Sequence, residues 1–215
     1  MKRWQTSMQG RDGRAGFTLI EMLIVITMIA IITAFSLPKI DYTQFRLDAG
    51  MRTMRVALQR GQSFAVSSQR QTLVGIDLIG KHRVCVLEDA DNNGTYTVGE
   101  HWTMYSMQDG VQFGKPTSSG TWSGALPVSG PLTATTTVTF TCNPSDLTVY
   151  TGVVFRADGA VSSPAQFYIT TLRNVLSGNG KPGDWRGVDL EQATGKVTPY
   201  KLPSTGGTVW NAAGF

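Results

Sequence analysis

Arg14-Ala15-Gly16-Phe17-Thr18-Leu19-Ile20-Glu21 is the stretch that decides how this chain is read. A short basic leader precedes it. An apolar run from Phe17 to Leu37 begins within it, 21 residues with Glu21 as the only charge. A helix of that length can span a bilayer. A secretory signal has its apolar core before the cut, and nothing between Met1 and Gly16 can serve as that core. A cut at Gly16-Phe17 therefore leaves the apolar segment on the mature chain. Glu21 speaks against a plain anchor, because a carboxylate at membrane depth is costly and implies a partner.

Gly16, Phe17, Thr18, Leu19, Ile20 and Glu21 resemble, position for position, the N-terminus of the type IV pilin-like proteins. The resemblance implies that a prepilin peptidase cuts after Gly16 and that the Phe17 amine is methylated. It also implies that Glu21 pairs with the Phe17 amine of a neighbouring subunit in a filament.

Charge agrees with an envelope protein. Lys2, Arg3, Arg11 and Arg14 in the leader face one acid, Asp12, and account for most of the chain's net charge of +4. The remaining 15 basic and 14 acidic side chains leave +1, a poor footprint for nucleic acid. Nucleic acid is therefore not an expected partner. The leader charges instead hold the N-terminus in the cytoplasm by the positive-inside rule. The expected location is the bacterial inner membrane, single-pass, with a periplasmic head, and then a filament. Outside the cytoplasm a disulfide is permitted, so Cys85 and Cys142 form either a bridge or two separate buried thiols.

Pro38 interrupts the apolar run, and proline kinks a helix. Beyond it Leu47, Met51, Met54, Leu58, Gly61, Ala65 and Ser68 recur at alternating four- and three-residue spacing, one face of a helix. One long bent helix from Phe17 to Gln69 is predicted. Arg46, Arg52, Arg55 and Arg60 lie off its apolar face and read as a solvated surface. From Gln71 the pattern turns to strands. Thr72–Leu78 and Arg83–Leu87 flank a turn at Ile79-Gly80-Lys81-His82. Further strands are predicted at His101–Met107, Thr137–Cys142, Thr148–Phe155, Gln166–Thr171, Arg186–Leu190 and Lys196–Tyr200. Gly114–Thr136 reads as a surface loop and the tail after Leu202 as loose.

The head resembles the GspH/FimT/FimU minor pilins and pseudopilins within that family. The matching residues are Phe155-Arg156-Ala157-Asp158-Gly159, Phe167-Tyr168-Ile169, Val188-Asp189-Leu190 and Thr194-Gly195-Lys196-Val197. Asp-Gly and Thr-Gly supply a residue that tolerates positive φ between strands. FimT-like DNA receptors resemble one another in a Gly-Arg-x-Arg stretch. Gly195-Lys196-Val197-Thr198 departs from it, with no second basic residue until Lys201.

Asp89 to Glu100 carries oxygen ligands at loop positions 1, 3, 5 and 12 (Asp89, Asp91, Asn93, Glu100), with Gly94 at position 6. That is EF-hand calcium spacing, but the flanks read as strands rather than helices. The expectation is an Asx-rich turn with weak calcium affinity at most. His82 and His101 are the only histidines. His82 reads as solvated in its turn. Nothing resembles a nucleophile elbow or a phosphate loop, so a signal-anchored enzyme is disfavoured. No cofactor and no catalytic residue is expected. Trp102, Trp122, Trp185 and Trp210 read as packing residues rather than base-stacking platforms.

The expected fold class is α+β: a long N-terminal helix, transmembrane then amphipathic, packed on an antiparallel β-sheet head. The expected organisation is a leader (1–16), a transmembrane helix half (17–37), an amphipathic half (38–70), a β-rich head (71–202) and a flexible tail (203–215). Resemblance implies a structural subunit of a type II secretion pseudopilus, GspH-like, or alternatively a FimT/FimU-like minor pilin of a type IV pilus. Its implied partners are other pilins or pseudopilins, the prepilin peptidase, the inner-membrane assembly platform and the membrane.

Overall fold

The computed structural model describes residues 16–36, 42–78, 80–114, 132–134, 138–143, 145–177, 182–202 and 210–213. Two compact units emerge, Met1–Asp41 and Tyr42–Phe215.

In the first unit, α1 runs from Leu19 to Ser36. Its described side chains are all exposed, apolar ones included on every side. A helix apolar all round has no solvent face to offer. The hydroxyls of Thr27 and Thr33 donate to the carbonyls of Ile24 (2.8 Å) and Ile29 (2.7 Å) within the same helix, which satisfies them without water. The 18 residues of α1 span about 27 Å, slightly less than the roughly 30 Å hydrocarbon core. Among the described residues, no helix is long and apolar enough to cross a membrane. The helix starts at Leu19 rather than Phe17 because Thr18 caps it. Pro38 lies outside the described residues.

The second helix, α2 (Thr43–Ser68), belongs to the head. Residues 37–41, through which one continuous helix was expected to run, lie outside the described residues. The buried face of α2 comprises Leu47, Gly50, Met51, Met54, Ala57, Leu58, Gly61 and Ala65, the predicted stripe without the half-buried Ser68 and with Gly50 and Ala57 added. Gly61 is required by close approach, since a Cβ there would overlap Val74 Cγ2.

Two antiparallel sheets receive this face. The first contains β1 (Gln71–Ile76), β2 (Arg83–Asp89), β3 (Trp102–Ser106), β6 (Val138–Asn143) and β7 (Asp146–Phe155), in the order β3-β2-β1-β7-β6. The second contains β4 (Val111–Phe113), β8 (Ala165–Thr171), β9 (Arg186–Leu190), β10 (Val197–Lys201) and β11 (Asn211–Ala212), in the order β11-β10-β9-β8-β4. A three-residue β5 (Leu132–Ala134) also pairs with β8, and α3 spans Leu172–Ser177. The main core lies between α2 and both sheets, with Leu58, Val74, Val86, Phe155, Phe167 and Val188 among its members. This is the α+β class expected.

A smaller core of Leu73, Leu87, Phe140 and Tyr150 surrounds a disulfide between Cys85 on β2 and Cys142 on β6. These residues are 57 apart in sequence, and in the chain-entropy view such a closure stabilises by about 4 kcal/mol. The tail is not uniformly loose. Trp210 is buried on Tyr168, Trp185 and Leu202, and β11 pairs with β10.

Arg186, at the start of β9, is fully buried. Its Nε and Nη2 reach Asp48 Oδ1, each at 2.7 Å, and Nη2 also donates to Gln44 Oε1 at 2.7 Å. Nη1 donates to the carbonyls of Gly183 (2.6 Å) and Trp185 (3.0 Å). This ties the first turns of α2 to the second sheet. Asp48→Ala strands a buried guanidinium and should cost about 3 kcal/mol, read from the shift of the denaturant midpoint. The pair Asp48→Leu with Arg186→Met should recover most of that loss. A single variant as stable as the parent would show that the pair contributes nothing.

Candidate functional site

Gly16 and Phe17 precede α1 in non-helical, exposed backbone. Phe17 is 72% exposed, and among the described residues no atom lies within 4 Å of where a Gly16 Cβ would sit. A protease needs such an open, extended bond. Immediately after it, Thr18 N-caps the helix. The Glu21 N–H donates to Thr18 Oγ1 at 3.2 Å and to the Thr18 carbonyl at 3.1 Å. Thr18-x-x-Glu21 is the spacing of a capping box, with Glu21 at the third helical position. An acid in the first turn also favours the helix dipole. Glu21 thus has a local use that was missed in the sequence, although the Thr-x-x-Glu signal was there to read. Its side chain is exposed, so it remains available to a partner.

Residues 11–37 match the family described as the prokaryotic N-terminal methylation motif. At these residues the chain is similar to the proteins that carry this motif. The motif covers the end of the leader, the Gly16-Phe17 junction and the apolar run. No curated protein matches the chain. Two solved structures of the minor pseudopilin EpsH from the type 2 secretion system of Vibrio cholerae are similar at 15% identity. Each alignment covers 75% of this chain and 99% or 98% of the other, with TM-scores of 0.41 and 0.44. A likeness this distant supports no functional statement.

The Asp89–Glu100 segment leaves β2 as a compact turn. Asp89, Asp91 and Glu100 can bring ligand oxygens within 4.8 Å of one another. The loop's own backbone already uses them. Asp89 accepts from the N–H groups of Asn93 (3.0 Å) and Gly94 (2.8 Å). Glu100 accepts from Ala90 and Thr97, both at 2.7 Å. Asn93 Nδ2 donates to Asp91 at 2.7 Å and to Thr97 Oγ1 at 2.8 Å. Burial raises the Asp89 pKa, and the charge of Glu100 adds to that, against the opposing hydrogen bonds from Gly94 and Asn93. For Asp91, desolvation pushes up, but the bonds from Thr97 and Asn93 outweigh it and the pKa is lowered. In an EF-hand the last glutamate gives both oxygens to the ion. Here each oxygen of Glu100 holds an amide in place, and β2 and β3 stand where helices would be. Calorimetry should show no calcium binding tighter than about 10⁻⁴ M. A micromolar isotherm that Glu100→Gln removes would make this loop a metal site.

The two turn motifs near the C-terminus meet at one residue that sequence reading passed over, Gln62 on α2. Its Nε2 donates to the carbonyls of Gly159 (3.1 Å) and Thr194 (2.7 Å). Gly195 sits at φ 63°, and a Cβ there would overlap the Gly159 carbonyl. The Asp-Gly and Thr-Gly turns therefore dock on the same helix side chain.

His82 is half-buried rather than solvated. It packs on Phe113 with ring centroids 6.2 Å apart, and burial lowers its pKa against the pull of Asp77. Trp185 and Trp210 are core residues, and Trp102 is 38% exposed. Trp122 lies outside the described residues.

Proposed function

We propose that this chain is a minor pilin-like structural subunit of a type II secretion pseudopilus, GspH-like. The observation that carries this reading is the methylation motif at residues 11–37, set on an exposed Gly16-Phe17 bond ahead of an apolar helix. The basic leader keeps the N-terminus in the cytoplasm. The segment 17–37 anchors the precursor in the inner membrane, and the head faces the periplasm. Prepilin peptidase cuts after Gly16, and the Phe17 amine is methylated. At the assembly platform the helix leaves lipid and packs with other pilin or pseudopilin helices, with Pro38 accommodating the bend. Glu21 compensates the amine of a neighbour and sets axial register. The chain catalyses no reaction and requires no cofactor.

Deletion of the gene separates the machines. Loss of exported enzymes from the medium, with surface pili intact, is the expected result. Loss of pili with secretion intact would assign the chain to a type IV pilus, as a FimT/FimU-like subunit. The near-neutral mature chain and the single Lys196 after Gly195 favour protein export over DNA uptake.

A further inference from the structure

At the Tyr42 end of the head, an open cavity of about 390 Å³ lies among α2, β4 and α3. Arg46 of α2 and Arg173 of α3 both line it, with Val111 and Leu172 among the apolar lining and Asp109 as its acid. Large apolar side chains stand exposed on the same two helix ends. Tyr42 is 57% and Phe45 72% exposed, and on α3 Leu172 is 42% and Val175 40% exposed. Tyr42 and Arg46 are one turn apart, joined by an Arg46 N–H to Tyr42 carbonyl bond of 3.0 Å. Leu172 and Val175, three residues apart, share a side of α3. Arg46 Nη1 also donates to the Asp109 carbonyl at 3.4 Å, so each helix end sets a guanidinium, not an unpartnered one, beside exposed apolar surface.

Arginine next to exposed aromatic and aliphatic groups is the composition that suits a headgroup layer, where stems and rings enter and charges meet phosphate. The sequence sets the distance. Six residues lead from Ser36 to Tyr42, a reach of at most about 21 Å. With α1 anchored in lipid, this end of the head is held within reach of the bilayer.

We propose that the Tyr42 end of the head seats on an anionic bilayer surface, with Arg46 and Arg173 meeting lipid phosphates and Tyr42, Phe45, Leu172 and Val175 entering the headgroup layer. This rests on the reading of α1 as a membrane anchor. The contact holds the unassembled subunit down and is given up when the filament extracts it.

The test uses the full processed chain in nanodiscs of phosphatidylcholine, with or without phosphatidylglycerol, followed by amide hydrogen exchange. Each arginine near an anionic surface contributes about fivefold in affinity, so amides at 42–46 and 172–175 should exchange roughly 25-fold more slowly in the anionic discs. Arg46→Gln with Arg173→Gln should remove that difference, while unchanged protection of β1 reports an intact head. Phe45→Ser should weaken it without altering charge. Equal exchange in the two lipids would overturn the proposal. So would protection that rises with protein concentration in neutral discs, which marks a second copy instead. A chain released from the discs by alkaline carbonate overturns the anchor and this contact with it. A retained chain with unprotected amides overturns the contact alone.

Discussion

Gly16→Val should leave the precursor at full length in cells that express an active prepilin peptidase, whereas the parent chain should lose the 16 residues up to Gly16. The effect is all or none because the substitution acts on the substrate bond and not on the fold. Gly16 is exposed with open space at its Cβ position, so valine disturbs no packing. A β-branched side chain does, however, stiffen χ1 and crowd the backbone that the peptidase must seat. Intact mass on purified membranes reads the result directly. A parent chain that keeps its leader beside a peptidase active on a control substrate would sink the processing claim.

Glu21→Val should insert in the membrane but fail to join the filament. Removing a charge from the apolar segment favours insertion by on the order of 2 kcal/mol. The loss appears later, when a cut at Phe17 places a positive amine at the positive end of the helix dipole. The capping geometry makes a sharper variant available. Glutamine at the same position keeps the Thr18-x-x-Glu/Gln spacing of a capping box but carries no charge. If the carboxylate answers a neighbour's amine, Glu21→Gln fails in assembly as valine does. If glutamine restores filament incorporation to the parent level, the charge of Glu21 is not what assembly needs. Co-purification with the assembled filament separates the two outcomes.

The parts legible in the sequence were those governed by local periodicity. The α2 stripe from Leu47 to Ala65 announces its buried face through spacing alone. The long strands show in runs of β-branched and aromatic residues. Val111–Phe113 has no counterpart among the predicted strands, and Leu132–Ala134 is a strand where the Gly114–Thr136 loop was expected, because three residues carry no measurable alternation. Arg186 was read as an ordinary strand start. Its burial depends on Asp48 and Gln44, which reach it from about 140 positions away, and no local pattern encodes that meeting. Gln62 escaped notice for the same reason, since its two acceptors lie in turns that come together only in the folded head. Trp210 looked like part of a loose tail because its Gly-rich surroundings outweigh one aromatic in a local reading, whereas a formed aromatic cluster captures it. At the N-terminus the reverse holds. The motif is written in consecutive residues and needs no tertiary structure to be read.

The register of the first sheet sets a timetable for the head. β1 sits at its centre, with β2 on one side and β7 on the other, and Thr72 pairs with Phe155. β2 follows β1 directly, so that hairpin can close as soon as it emerges. The other edge of β1 must wait for 83 more residues. Non-local pairings of this kind slow folding, because loop closure is paid before the contacts form. During that interval an apolar strand edge stands unpaired, the hazard that leads to intermolecular pairing. A chain fixed by one end to a surface and delivered singly meets fewer copies of itself than one released into solution. On the proposed reading of α1 as an anchor, the order of strands favours folding of the head while the chain is tethered, before subunits are gathered side by side.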